Sequence, residues 1–118
     1  LVEDHPVNRQ LALAQLKTLG IAHADSACDG IEALDQLHQR LYDVVLMDMQ
    51  MPRMDGLEAT RQLRQLPLTT QPWVIAMTAN AFEDDQRACL NAGMDDFVSK
   101  PATVAALKAA FGRYMHQR

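Results

Sequence analysis

Two hydrophobic patterns alternate along this chain. The first is a short unbroken apolar run: Val44, Val45, Leu46 and Met47, then Trp73 to Met77, and more briefly Phe97-Val98. Runs of this kind read as strands covered on both faces of a parallel sheet. The second has apolar residues at helical spacing: Val7, Leu11, Leu16 and Leu19; Ile31, Leu34, Leu37 and Leu41; Leu57 to Leu66; and Val104, Leu107, Phe111 and Tyr114. A further helix opens on Glu83, Asp84 and Asp85, where the helix macrodipole favours negative charge. Ile21 to Ala27 reads as a weaker strand with polar interruptions, and Leu1 to Glu3 as the tail of a first strand. Pro6 suits a first helical turn, Gly20, Pro67 and Gly93 act as stops, and Asp29-Gly30 and Asp55-Gly56 mark turns.

Strand–helix alternation predicts an α/β fold, a parallel sheet with helices on both faces and right-handed crossovers, with five strands and five helices. One domain over residues 1–118 is expected, with the first strand truncated: Leu1-Val2 supplies only two apolar residues, as if cut from a longer polypeptide. The geometric consequence matters most. Glu3-Asp4, Asp48, Thr78 and Lys100 each follow an apolar run, so all belong at the carboxyl edge of one sheet, where open α/β sheets hold their ligands.

Composition narrows the functional classes. With 118 residues, 48% hydrophobic and 22% charged, the chain is an ordinary globular one. A net charge of -4 argues against a general nucleic-acid surface. No apolar run approaches a membrane span and no signal peptide is visible, so no direct nucleic-acid or membrane contact is expected. Cys28 and Cys89 are too few for a disulfide framework or zinc site and read as free, buried thiols suited to a reducing cytoplasm.

Three carboxylates at one edge repel one another unless a cation neutralises them, and Mg²⁺ with oxygen ligands is the expected choice. Asp48 can then attack phosphorus to give an acyl phosphate. Lys100 would stabilise the transferring oxygens, and the Thr78 hydroxyl could donate to one of them. His5 reads as a solvated loop residue rather than a ligand, and Met47, Met49, Met51 and Met54 as core and loop filling rather than a soft-metal site.

Glu3-Asp4, DMQMPRMDG from Asp48, MTANA from Met77 and SKP from Ser99 together resemble the receiver domain of two-component response regulators, in order and spacing along the whole chain. The resemblance implies a flavodoxin-like fold of strand order 2-1-3-4-5. It makes Asp48 the phosphoacceptor and Asp4 the direct Mg²⁺ ligand. Glu3 stands where aspartate is more familiar, and the backbone carbonyl of Gln50 is a further ligand. Thr78 and Phe97 become switch residues, Lys100 the charge-neutralising one, and Lys100-Pro101 a cis peptide. The MTANA and GMDDFVSKP wording is most like receivers of hybrid histidine kinases. That implies a histidine kinase or histidine phosphotransfer domain as partner, and a cytoplasmic domain, alone or within a membrane-anchored hybrid kinase.

The alternative is a docking module on the same fold that is never phosphorylated; the acid pair, Asp48 and Lys100 favour the phosphoacceptor. A phosphatase of the haloacid dehalogenase type is remote, because its D-x-D motif would need a second aspartate where Pro6 stands. The domain is expected to be a signalling module that assists its own phosphorylation and dephosphorylation, not an enzyme acting on a separate substrate.

Overall fold

A computed structural model describes residues 1–21, 24–49, 54–68, 70–78, 83–100 and 103–116, without side chains for 83–85. Its helices are α1 (Pro6–Thr18), α2 (Gly30–Gln39), α3 (Gly56–Gln65), α4 (Glu83–Ala92) and α5 (Val104–His116). Its strands are β1 (Val44–Asp48), β2 (Trp73–Thr78) and β3 (Asp96–Ser99). These strands form a parallel sheet in the order β1-β2-β3, with Val45 opposite Val74, Ala76 opposite Phe97 and Thr78 opposite Ser99.

The amino-terminal segment joins this sheet through isolated bridges: Val2 pairs in parallel with Met47 on one side and Ala27 on the other. The Val2 N–H donates to the Leu46 carbonyl at 2.7 Å, the Asp48 N–H to Val2 at 3.0 Å, and the Glu3 N–H to Ala27 at 3.0 Å. Among the described residues, the first two expected strands are therefore joined to the sheet by single bridges, not ladders.

Side chains that alternate along each strand divide between two cores. Val45, Met47, Val74 and Ala76 face α2, α3 and α4, against Leu34, Leu37, Leu63 and Cys89. Leu46, Ile75, Met77 and Val98 face the other way, against Leu16 of α1 and Leu107 and Ala110 of α5. The strands read as unbroken apolar runs because both faces are covered.

Local signals act where the chain turns. Asp29 and Asp55 are N-caps whose carboxylates accept from the N–H groups of Glu32 and Glu58, each at 2.9 Å. Gly20 and Gly93 adopt φ of 92° and 104°, the left-handed region that suits glycine just past a helix.

Three expectations need correction. Val7 and Leu11, which the spacing puts on the apolar face of α1, are 67% and 52% exposed. At about 100° per residue Val7 lies roughly opposite Leu16, and the buried stripe runs through Ala12 and Leu16 instead. Leu41 is exposed because α2 ends at Gln39, before the stripe reaches it. Cys28 is exposed, since it follows the Val2–Ala27 bridge as the chain leaves the sheet; Cys89 is the buried thiol.

Candidate functional site

The site is assembled where four segments leave the sheet at its carboxyl edge. Asp48 is the last residue of β1, and its carboxylate is almost wholly covered, with the residue 2% exposed. Just beyond it the Met49 N–H donates to Met77 at 3.1 Å, and the Gly56 N–H returns to Met49 at 3.2 Å, closing the chain between β1 and α3. Gly56 is packed so tightly that a Cβ there would overlap the Asp48 carbonyl oxygen. Only glycine lets α3 start this close to the acidic residue. The sequence marked Asp55-Gly56 as a turn; that the glycine's bare Cα lies against Asp48 was not visible in it.

Glu3 and Asp4 arrive from the bridged segment. Carboxylate oxygens of Glu3, Asp4 and Asp48 lie within 4.8 Å of one another, Glu3 and Asp48 buried and Asp4 partly exposed. Lys100, the residue after β3, spans the buried pair. Its Nζ is 2.8 Å from Asp48 Oδ1 and 3.1 Å from Glu3 Oε2. The Lys100 N–H donates to the Thr78 carbonyl at 2.7 Å, so the ends of β2 and β3 fix where the lysine stem begins. Thr78 is the last residue of β2 and is buried.

The electrostatics follow from burial and this spacing. Burial is the largest influence on Glu3 and pushes its carboxyl pKa up. The Asp48 charge adds to that rise, while the Lys100 hydrogen bond and charge and the His5 N–H, at 3.3 Å from Oε1, only partly offset it. Burial pulls the Lys100 ammonium down, but its hydrogen bonds to Asp48 and Glu3 and their charges outweigh it, so the net shift is upward. The lysine is a firmly held cation between two acids.

One ammonium faces three carboxyl groups, and its two contacts reach only Glu3 and Asp48. Hard oxygen donors from three residues, with Asp4 partly open, can accept a hard divalent cation. The chemistry and grouping of the donors thus fit a metal of the magnesium class.

Of the other sequence candidates, Phe97 lies in β3, half-buried against the α2–α3–α4 core. Thr78 and Phe97 share that face of the sheet, because Thr78 pairs with Ser99 and Ala76 with Phe97. Gln50 and Pro101 fall outside the described residues, and with them the proposed carbonyl ligand, the cis peptide and most of MTANA. His5 is exposed, and it is its backbone N–H that meets Glu3. Arg9, which the sequence did not single out, donates from Nη1 to the Glu3 carbonyl at 3.2 Å.

Comparison with known proteins shows the family and the fold. Residues 1–112 match the response regulator receiver domain. The chain is 44% identical over 114 residues to the sensor histidine kinase RcsC of Salmonella typhi, covering 97% of this chain and 12% of that protein's length. Among solved structures, the receiver domain of sensor histidine kinase PA1611 from Pseudomonas aeruginosa PAO1 superposes with a TM-score of 0.87 at 38% identity, over 98% of this chain and 93% of that one. It carries a magnesium ion coordinated in its active-site cleft. The Saccharomyces cerevisiae complex of the histidine phosphotransfer protein Ypd1 with the receiver domain of Ssk1 matches with a TM-score of 0.86 at 25% identity, over 96% of this chain and 84% of that one. Among the described residues no helix is long and apolar enough to cross a membrane.

Proposed function

Because this chain belongs to the response regulator receiver domain family, we propose that it is a phosphoacceptor in which Asp48 takes a phosphoryl group from a phosphohistidine. Its α/β fold, a parallel sheet layered with helices, is the flavodoxin-like receiver fold. The observation that carries the reading is the covered Asp48 carboxylate, held 2.8 Å from the Lys100 ammonium and grouped with Glu3 and Asp4.

In the proposed transfer an Asp48 carboxylate oxygen forms the new bond to phosphorus as the phosphorus–nitrogen bond of the donor breaks, and the imidazole leaves with the electron pair. Lys100 moves its charge from the carboxylate to a phosphoryl oxygen. Thr78, at the end of β2, donates its hydroxyl hydrogen to another. Asp4, Asp48 and the Gln50 carbonyl would hold Mg²⁺, with Glu3 acting on it directly or through water. The bound ion would supply charge neutralisation on the phosphoryl oxygens.

The strand order 2-1-3-4-5 belongs to the same proposal. Support comes from the Ala27–Val2–Met47 bridges, which stand on the open side of β1. We read residues 1–118 as a single receiver domain of a hybrid histidine kinase. It spans about an eighth of the length of the curated relative it matches. Its donor would be a histidine kinase, its acceptor a histidine phosphotransfer domain, and its setting the cytoplasm. It is a signalling module with no separate substrate to turn over.

The test is phosphorylation in solution. With Mg²⁺ and a small-molecule phosphodonor, the wild type should acquire an acid-stable, alkali-labile phosphate, and Asp48→Asn should not. Equal labelling of the two proteins would refute Asp48 as acceptor. No labelling of either would favour the docking-module reading.

A further inference from the structure

Arg9 occupies an unusual position beside the acidic site. It lies in the first turns of α1, a helix whose N-cap, His5, makes no side-chain cap and whose first turn carries no acidic residue. Its guanidinium does not pair with a carboxylate among the described contacts. Instead Nη1 meets two acceptors, the Glu3 backbone carbonyl at 3.2 Å and the Cys28 sulfur at 3.3 Å. One nitrogen with two hydrogens thus ties the end of the Val2 segment to the end of the Ala27 segment, just past their bridge.

The Glu3 carbonyl belongs to the peptide that carries the Asp4 nitrogen. That peptide is planar, so fixing the direction of the carbonyl fixes the path of the chain into Asp4. The other side of Glu3 is already anchored: its N–H donates to Ala27 at 3.0 Å, and its carboxylate meets Lys100 and the His5 N–H. Asp4 is the partly exposed member of the carboxylate group and has no such anchor of its own in the described contacts. We propose that Arg9 is a positioning residue. Clamped between the Glu3 carbonyl and the Cys28 sulfur, it sets the Glu3–Asp4 peptide and so holds the Asp4 carboxylate in register with Asp48.

The inference rests on the phosphoacceptor reading, and two measurements keep them apart. Mg²⁺ titration followed by amide NMR should show Arg9→Met binding about tenfold more weakly than wild type, the low end for loss of an outer partner of a metal ligand. Arg9→Lys should recover part of the loss, because an ammonium can still reach one acceptor. Arg113→Met, which breaks a pair with Asp96 at the opposite edge, serves as the control for general destabilisation and should bind like wild type. In metal-free protein, the Asp4 and His5 amide signals should shift in Arg9→Met and stay in place in Arg113→Met. Wild-type Mg²⁺ affinity in Arg9→Met, or a metal-free Asp4 signal unmoved by the substitution, would overturn the positioning role. If the wild type itself failed to bind Mg²⁺, the phosphoacceptor reading would fall, and the metal-free signals alone would decide for or against Arg9.

Discussion

Lys100 makes the acidic site tolerable, because it is within hydrogen-bonding distance of both buried carboxylates. Its pKa is raised, so this contribution is whole below the lysine's ordinary 10.5 and is lost only as pH climbs through the higher folded value. Glu3 is also raised. The folded protein therefore holds a proton there that the unfolded chain has released, and stability falls as pH rises from the ordinary 4.5 through the folded value. Lys100→Met removes the partner that moderates this. The variant's urea midpoint should match wild type most closely at acid pH and fall behind it towards neutrality. Its phosphorylation should slow by roughly a hundredfold, as for loss of one charge-stabilising donor. A stability gap that stays constant with pH would mean Lys100 does not compensate Glu3. The edge position of Lys100 was legible in the sequence, because it follows an apolar run. Its double engagement was not, because that depends on how deeply Glu3, nearly a whole chain length away, is buried.

Among the elements, α3 is placed by one atom that is missing. A methyl group at Gly56 would run into the Asp48 carbonyl, so either the helix or the end of β1 must shift. Overpacking of this kind costs about 1–3 kcal/mol and can exceed that where the neighbour is backbone. Gly56→Ala should lose stability in that range on chemical denaturation and take up phosphate more slowly. Gly112→Ala, in α5 with nothing within 4 Å of the new methyl, should gain about 0.5–1 kcal/mol. Equal stability of the two variants would contradict the close approach. The helices themselves were legible from spacing and stops, whereas the inward face of α1 was not. Val7 and Leu11 looked like core by hydrophobicity, yet the small Ala12 is buried with Leu16, because rotation about the helix axis, not side-chain size, decides which residues meet α5 and the sheet. The extent of the first two strands was not legible either: apolar residues near Val2 and Ala27 announce pairing but not how far a ladder extends.

Across the whole molecule, the site adjoins β3, which packs against both α4 and α5. A phosphoryl group adds about -1.5 to -2 charges and strong acceptor oxygens at Asp48. Thr78, drawn towards them, would leave space on the face of the sheet it shares with Phe97, into which the ring can turn. A coupling of about 1–3 kcal/mol would change partner affinity several-fold to a hundredfold. Thr78→Val should still be phosphorylated but lose most of the amide shifts around Phe97 that a phosphoryl mimic produces in wild type. Shifts of wild-type size in the variant would remove Thr78 from the relay. The opposite edge supplies the frame. Arg64 donates to Gly93, Pro72, Gln71 and Asp95 at 2.8–3.0 Å, tying α3 to the starts of β2 and β3 and the end of α4.

All of this depends on Asp48 being the atom-bearing acceptor, and a chemical trap reads that directly. Borohydride reduces an acyl phosphate to the alcohol, so an aspartyl phosphate becomes homoserine in the peptide that carried it. After incubation with phosphodonor and Mg²⁺, reduction and peptide mapping should place homoserine at position 48 alone, and omission of Mg²⁺ should abolish it. Homoserine at Asp4, Asp55 or any other aspartate, or none anywhere in protein that carries alkali-labile phosphate, would contradict the assignment of Asp48.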